Sequence, residues 1–215
     1  MTHPLYGSSN QRQALQVVIQ TLELAKGFSG WFHRRVEPAV MLGCYAVSPR
    51  HIRPIGRCLA RFHPKGDFPE TTSPHDPKTS AVTASITSDS PIQVVVLAIA
   101  VEIDGGQDLQ RLYGALDNPE ALSVWAKSSE TPSPYALREL GTDPSSWTYP
   151  TRCHLLVNGS DCAQAADSDK WIGAKAWVVT IADAGTSHVR LHFQSADAAN
   201  DWTAVVAVHV GPGWA

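Results

Sequence analysis

The sequence predicts an α+β protein, built on a largely antiparallel, strongly twisted sheet of about eight strands with helices packed on one side. Three observations lead there. Short runs in which apolar and polar residues alternate recur along much of the chain, and clusters of Gly, Pro, Asn and Asp separate them. Only a few stretches carry a helical period. The order is a helix and four strands up to Ile103, then helices and four strands to Val210. That order suggests two pseudo-symmetric halves, 1–104 and 105–215, within one compact domain over 1–215. At 215 residues and 43% hydrophobic composition, the chain is long enough to bury a core.

The first element reads as a helix. Asn10 can cap it with Gln13 reaching back, and Leu15, Val18, Ile19, Leu22 and Ala25 recur at helical spacing until Lys26-Gly27. Ala39 to Val47 reads as a buried strand. Ile55 to His63 reads as another, with Cys58, Ala60 and Phe62 on one face and Arg57, Leu59, Arg61 and His63 on the other. Pro54 argues against a helix there. Pro64 to Ser80, with four prolines and almost no aliphatic residue, forms neither a helix nor an interior strand, and a loop of that length serves as a cover or a linker.

Ala81 to Thr87 is a weak strand and Pro91 to Ile103 a strong one, closed by Asp104-Gly105-Gly106. Gln107 to Leu116 and Pro119 to Ser128 read as helices, the second capped by Asn118. A short helical turn is expected near Tyr135 to Leu140. Cys153 to Val157 is a strand, and Asn158-Gly159-Ser160 reads as a turn. Lys175 to Ala182 and His188 to Phe193 are expected to pair as a hairpin, and Thr203 to Val210 ends the fold.

Charge is unevenly spread. Arg34, Arg35, Arg50, Arg53, Arg57, Arg61 and Lys65 crowd a segment whose one acid is Glu37, in a chain of net charge −3. Such a patch suits an anion, while the overall balance argues against general coating of nucleic acid. The polar N-terminus lacks the layout of a signal peptide, the longest apolar run is too short to span a bilayer, and the four cysteines are not closely paired. These features point to a cytoplasmic protein with no membrane partner.

The candidate site follows from residue types and alternation. On the strand to Ile103, Val94, Val96, Ala98, Ala100 and Glu102 share one face, so small side chains lead to a carboxylate that burial would tune toward neutral proton transfer. A strand-end acid turned to water is the plainer alternative. Glu102 and His63 are the candidate catalytic groups. Arg57, Arg61 and Arg53 are candidates for substrate binding, since guanidinium groups hold carboxylate or phosphate through paired hydrogen bonds. Trp147, in a Ser/Tyr/Pro loop, could stack on a flat ligand, as could Trp214.

No metal motif is apparent: His63, Asp67, Glu70, His75 and Asp76 match no ligand spacing, and His188 and His192 stand ~13 Å apart on a strand. Gly27-Phe28-Ser29-Gly30 falls short of a nucleophile elbow. Cys44 and Cys58 read as core residues. The sequence therefore suggests a small enzyme, without metal or cofactor, doing acid–base chemistry on a carboxylated or phosphorylated small molecule. The alternative is a binding or adaptor protein that offers its basic face to nucleic acid or an acidic protein. A homo-oligomer stays open.

Overall fold

The computed structural model describes residues 11–26, 37–48, 50–66, 68–88, 92–104, 106–126, 134–162, 169–181 and 184–212. They form a mostly antiparallel β structure of two packed sheets. The strands are β1 (Gln11–Lys26), β2 (Pro38–Val47), β3 (Ile52–Arg61), β4 (Glu70–Thr72), β5 (Ala81–Ser88), β6 (Ile92–Glu102), β7 (Leu122–Ala126), β8 (Tyr135–Ala136), β9 (Thr151–Val157), β10 (Ser160–Asp161), β11 (Lys170–Ile181), β12 (Gly185–Gln194) and β13 (Asp201–Pro212). The helices are α1 (Gln107–Ala115) and α2 (Leu137–Thr142).

The smaller sheet has 5 strands in the order β12-β13-β1-β4, with β5 also on β1. The larger has 8, in the order β3-β2-β6-β11-β9-β7-β8, with β10 on β9. Leu15, Val17, Ile19, Leu191, Trp202 and Val206 of the smaller sheet pack with Val40, Leu42, Val94, Val96 and Trp177 of the larger, so the main core lies between the sheets. A second core covers the outer face of the larger sheet, where Leu109, Leu112 and Leu116 from α1 and its end join Leu137 and Leu140 of α2 over Met41, Tyr45, Leu97 and Ile99. The expected helices across one side are thus two short ones. The two halves of the chain do not form separate sheets, because β1 pairs with β13 and β6 with β11.

The first element corrects the reading of a helix. Its register against β13 shifts between Ile19 and Thr21, so Gln20 is an extra residue in a β-bulge. Before the bulge Leu15, Val17 and Ile19 point inward, and after it Leu22 and Leu24 do. The bulge turns a strict period of two into spacings of four and three at Leu15, Ile19 and Leu22, which mimic one helix face. Asn10, the expected cap, lies outside the described residues, as do Gly27 to Gly30 and Trp214.

Three other readings change. The expected helix from Pro119 to Ser128 is, over its described residues to Ala126, a single 3-10 turn (Pro119–Ala121) followed by β7, whose Leu122 and Val124 alternate into the outer core while its backbone pairs with β9. Asn118 makes no side-chain cap. β11 and β12 are not a hairpin: β6 and β9 already occupy both edges of β11, so the chain crosses to the other sheet and β12 pairs with β13. The stretch from Pro64 to Ser80 is tied down. β4 adds to β1, Asp76 caps a 3-10 turn at Pro77–Thr79, Glu70 accepts the backbone N–H groups of Lys65 and Gly66 at 2.8–3.1 Å, and Ile19 N–H donates to the Ser80 carbonyl at 2.9 Å.

β2, β6, β9, β13 and α1 fall close to their expected places. Asn158 and Gly159, both at positive φ, make the turn between β9 and β10. All four cysteines are buried and unpaired, and Cys44 and Cys58 belong to the inter-sheet core. No helix among the described residues is long and apolar enough to cross a membrane.

Candidate functional site

Alternation along β3 works as expected beyond its bulge. The β2–β3 register pairs Gly43 with Arg57, Met41 with Leu59 and Ala39 with Arg61, so Arg57 and Arg61 share the outer face of the larger sheet. Arg53 is on the opposite face. The register shifts between Cys44 and Tyr45, which leaves Ile55 unpaired and reverses the parity, and Arg53 then stands opposite Ala46 near the hairpin tip. Pro54 is tolerated because β3 is an edge strand.

Arg57 already has partners within the fold. Nη2 lies 2.8 Å from Asp117 Oδ2, Nη1 donates to the Tyr113 carbonyl, and the guanidinium sits 4.1 Å from the centre of the Tyr113 ring. These contacts fasten the end of α1 to the sheet. Next to them, Tyr45 Oη donates to the Leu116 carbonyl at 3.1 Å. The tyrosine has room because residue 43 is glycine, where a Cβ would clash with Tyr45 Oη. Arg61 is exposed, four residues along the same face. His63 is exposed beyond the strand end, with its ring 4.5 Å from that of His75. Trp147 does not stand out as a stacking platform. It is 5% exposed, packs in the outer core, and meets Tyr135 edge-on at 6.3 Å.

Glu102 ends β6 on the inner face, with Pro38 opposite on one side and Lys170 on the other. The alanines before it, Ala98 and Ala100, are part of the inter-sheet core and carry no open floor. Glu102 itself is 7% exposed and accepts a 3.0 Å hydrogen bond from Asn200 Nδ2. Burial raises its pKa, against the lowering effects of the Asn200 hydrogen bond and of Lys170.

The turn between β12 and β13 supplies the remaining groups. Ser195 Oγ donates to Asp197 Oδ1 at 2.5 Å and accepts from Asn200 N–H at 3.0 Å, while Asp197 Oδ2 pairs with Lys170 Nζ at 2.8 Å. This web holds Asn200 with no exposure at all, and its Oδ1 is a buried acceptor without a hydrogen-bond partner among the described residues. An uncompensated acceptor beside a carboxyl group is costly and unusual in a native fold. The amide can serve Glu102 in both protonation states: through Nδ2 it donates to the carboxylate, and after a 180° turn its Oδ1 accepts from the acid.

Next to this cluster, Asp169 is 3% exposed and accepts from the backbone N–H of Asp104, Gly106 and Leu109 at 2.8–2.9 Å. It caps α1 from the bend just before β11, and Gly106 at the helix entry takes the left-handed conformation. Its role is structural.

The structure thus brings Glu102, Arg61 and His63 to one end of the larger sheet without bringing them together. Arg61 is two strands from Glu102, ~10 Å in the pairing direction, and on the opposite face. Arg57 is ~13 Å further along the strand and engaged, and Arg53 is beyond that. Sequence reasoning missed Asn200, Lys170 and Asp197. The run Ser195-Ala-Asp-Ala-Ala-Asn signals a hydrogen-bonded turn, but nothing local says that it folds over Glu102. Among the described residues no group of three or more His, Cys, Asp or Glu could hold a metal ion. No protein-family model matches the chain, and no curated protein matches it in sequence.

Proposed function

We propose that the protein is a small acid–base enzyme acting on a carboxylated or phosphorylated small molecule, with Glu102 as the group that transfers the proton. The observation that carries this reading is Glu102 itself: a nearly buried carboxyl group, raised in pKa, whose close hydrogen-bond partner is a neutral amide with a spare buried acceptor. In this reading Asn200 orients the carboxyl, and Lys170, held by Asp197, keeps positive charge next to it. Arg57 is left to hold α1.

A screen of carboxylated and phosphorylated metabolites by thermal shift, followed by NMR detection of product, tests the proposal. Glu102→Gln should keep ligand binding and lower turnover about 10²–10⁴-fold, the usual scale for general acid–base catalysis. Undiminished turnover by that variant, or binding without turnover of any hit, would sink it.

One observation favours the adaptor alternative. Arg53, Arg61 and His63 are exposed on or just beyond β3, which is an edge strand of the larger sheet among the described residues. Binding of an acidic protein or nucleic acid along this edge should weaken steeply with added salt. A small-ligand site would respond weakly.

A further inference from the structure

The smaller sheet does not cover the whole inner face of the larger one. Inner-face residues of β11 such as Ile172 and Trp177 belong to the inter-sheet core, but no residue of β9 or β7 does. The strands β11, β9 and β7 therefore extend past β12 as a ledge, with β12 as its wall. Gly173 sits where they meet, a Cβ there coming no nearer than 3.7 Å to Phe193, and Arg152 Nη2 donates to the Gln194 carbonyl at 3.0 Å.

Two rungs cross this ledge. In the first, Lys175 stands directly opposite Arg152. Like charges facing each other across a ladder repel, and Lys175 is partly buried as well. Burial first, and Arg152 second, hold its ammonium below the ordinary lysine range. No carboxylate among the described residues pairs with either cation. In the second rung, Trp125 faces His154, their rings 4.9 Å apart and tilted by 36°. His154 Nδ1 is 3.4 Å from Asp161 Oδ2, which fixes the ring from its other side. Residues two apart on β9 place the rungs ~7 Å from each other, the span from a phosphorus atom to a ring a few bonds away.

We propose that this ledge is a binding site for a small molecule bearing both an anion and a flat ring, with the anion between Lys175 and Arg152 and the ring against Trp125 and His154. The anion would relieve the repulsion of the first rung through charge-assisted hydrogen bonds. The second rung supplies stacking surface. The site is independent of Glu102.

Calorimetric titration of the whole chain with benzyl phosphate, inorganic phosphate and benzyl alcohol tests it. Benzyl phosphate should bind more tightly than phosphate, and benzyl alcohol should show no binding. Lys175→Met should weaken benzyl phosphate by about ten- to a hundredfold, the range of a charged hydrogen bond, whereas Lys78→Met, removing an exposed lysine elsewhere, should not. Trp125→Leu should erase the preference for benzyl phosphate over phosphate. Ligand-free Lys175→Met should melt above the parent because it removes a desolvated charge from a repulsive rung. Lys175→Glu, which can pair with Arg152, should be folded and blind to both anions. Equal affinity for phosphate and benzyl phosphate would overturn the ring subsite. Undiminished binding by Lys175→Met, or no binding by the parent, would overturn the site.

Discussion

Replacing Arg57 with Ala separates its two roles. An anion anchor would lose its ligand with little effect on the fold, whereas the clamp on α1 would lose stability. The Arg57–Asp117 pair has side chains 27% and 62% exposed, and a bridge so open contributes at most about 1 kcal/mol. The charged hydrogen bond to the Tyr113 carbonyl adds about 1.5 kcal/mol, the low end of its range because the site is partly solvated. The cation over the Tyr113 ring adds about 0.5–1 kcal/mol. One guanidinium makes all three contacts, so they do not sum fully, and Arg57→Ala should cost about 1.5–3 kcal/mol. For a chain of this length that corresponds to a fall in Tm of about 3–12 °C. Arg57→Lys should recover part of it, keeping the charge but losing the fork, and Asp117→Asn should cost less than about 1 kcal/mol. Urea unfolding followed by circular dichroism reads all three. A loss below about 0.5 kcal/mol for Arg57→Ala, within the range of ordinary surface changes, would refute the clamp.

The strand assignment of residues 11–26 is tested by two neighbouring changes: Val17→Asp should prevent folding because Val17 has no exposure, while Val18→Asp, on the half-open outer face, should still give folded protein by NMR. A helix with the stripe Leu15, Val18, Ile19 and Leu22 requires the reverse. Glu102→Gln should change stability in a pH-dependent way. The raised folded pKa means the native state holds its proton longer than the unfolded chain, so the parent loses stability as pH climbs from the ordinary carboxyl range through the folded value. The variant should therefore gain on the parent as pH rises across that window in thermal melts, and a gain that shrinks instead would contradict the shift. Glu70→Ala should release the stretch after β3, since Glu70 accepts two backbone N–H groups there, and trypsin should cut at Lys65 about tenfold faster than in the parent. Equal cutting rates would show that the carboxylate does not hold this stretch. Asp169→Ala should cost about 2–3 kcal/mol in urea unfolding by freeing the first N–H groups of α1, and a loss no larger than that of an exposed cap would count against its role.

Much of the strand content was legible, because alternation is a local signal. Val94 to Val101 and Ala39 to Val47 read as buried strands and are buried on both faces. What misled was a single extra residue: the bulge at Gln20 shifted the inward positions of β1 onto a helical spacing, and the bulge at Ile55 moved Arg53 to the face away from Arg57. Pairing partners were beyond reach for the same reason that β11 and β12 looked like a hairpin, since closeness in sequence does not reveal that both edges of β11 are taken. The face of Glu102 was correct, yet its surroundings were not. A turn nearly a hundred residues away brings Asn200 over it, and the alanines before it are packed under the second sheet. Of the arginines on β3, Arg57 and Arg61 share one face while Arg53 lies on the other, and Arg57 is bound to Asp117, a division that the spacing in sequence does not reveal.

The most direct test of the proton-transfer reading is the titration of the Glu102 carboxyl carbon by NMR, assigned by its loss in Glu102→Gln. The account predicts a midpoint above the ordinary glutamate value of about 4.3, moving higher still in Asn200→Ala, where the hydrogen bond that favours the carboxylate is gone. A midpoint at or below that value would mean that water reaches the carboxyl freely, and Glu102 would then be an ordinary strand-end acid.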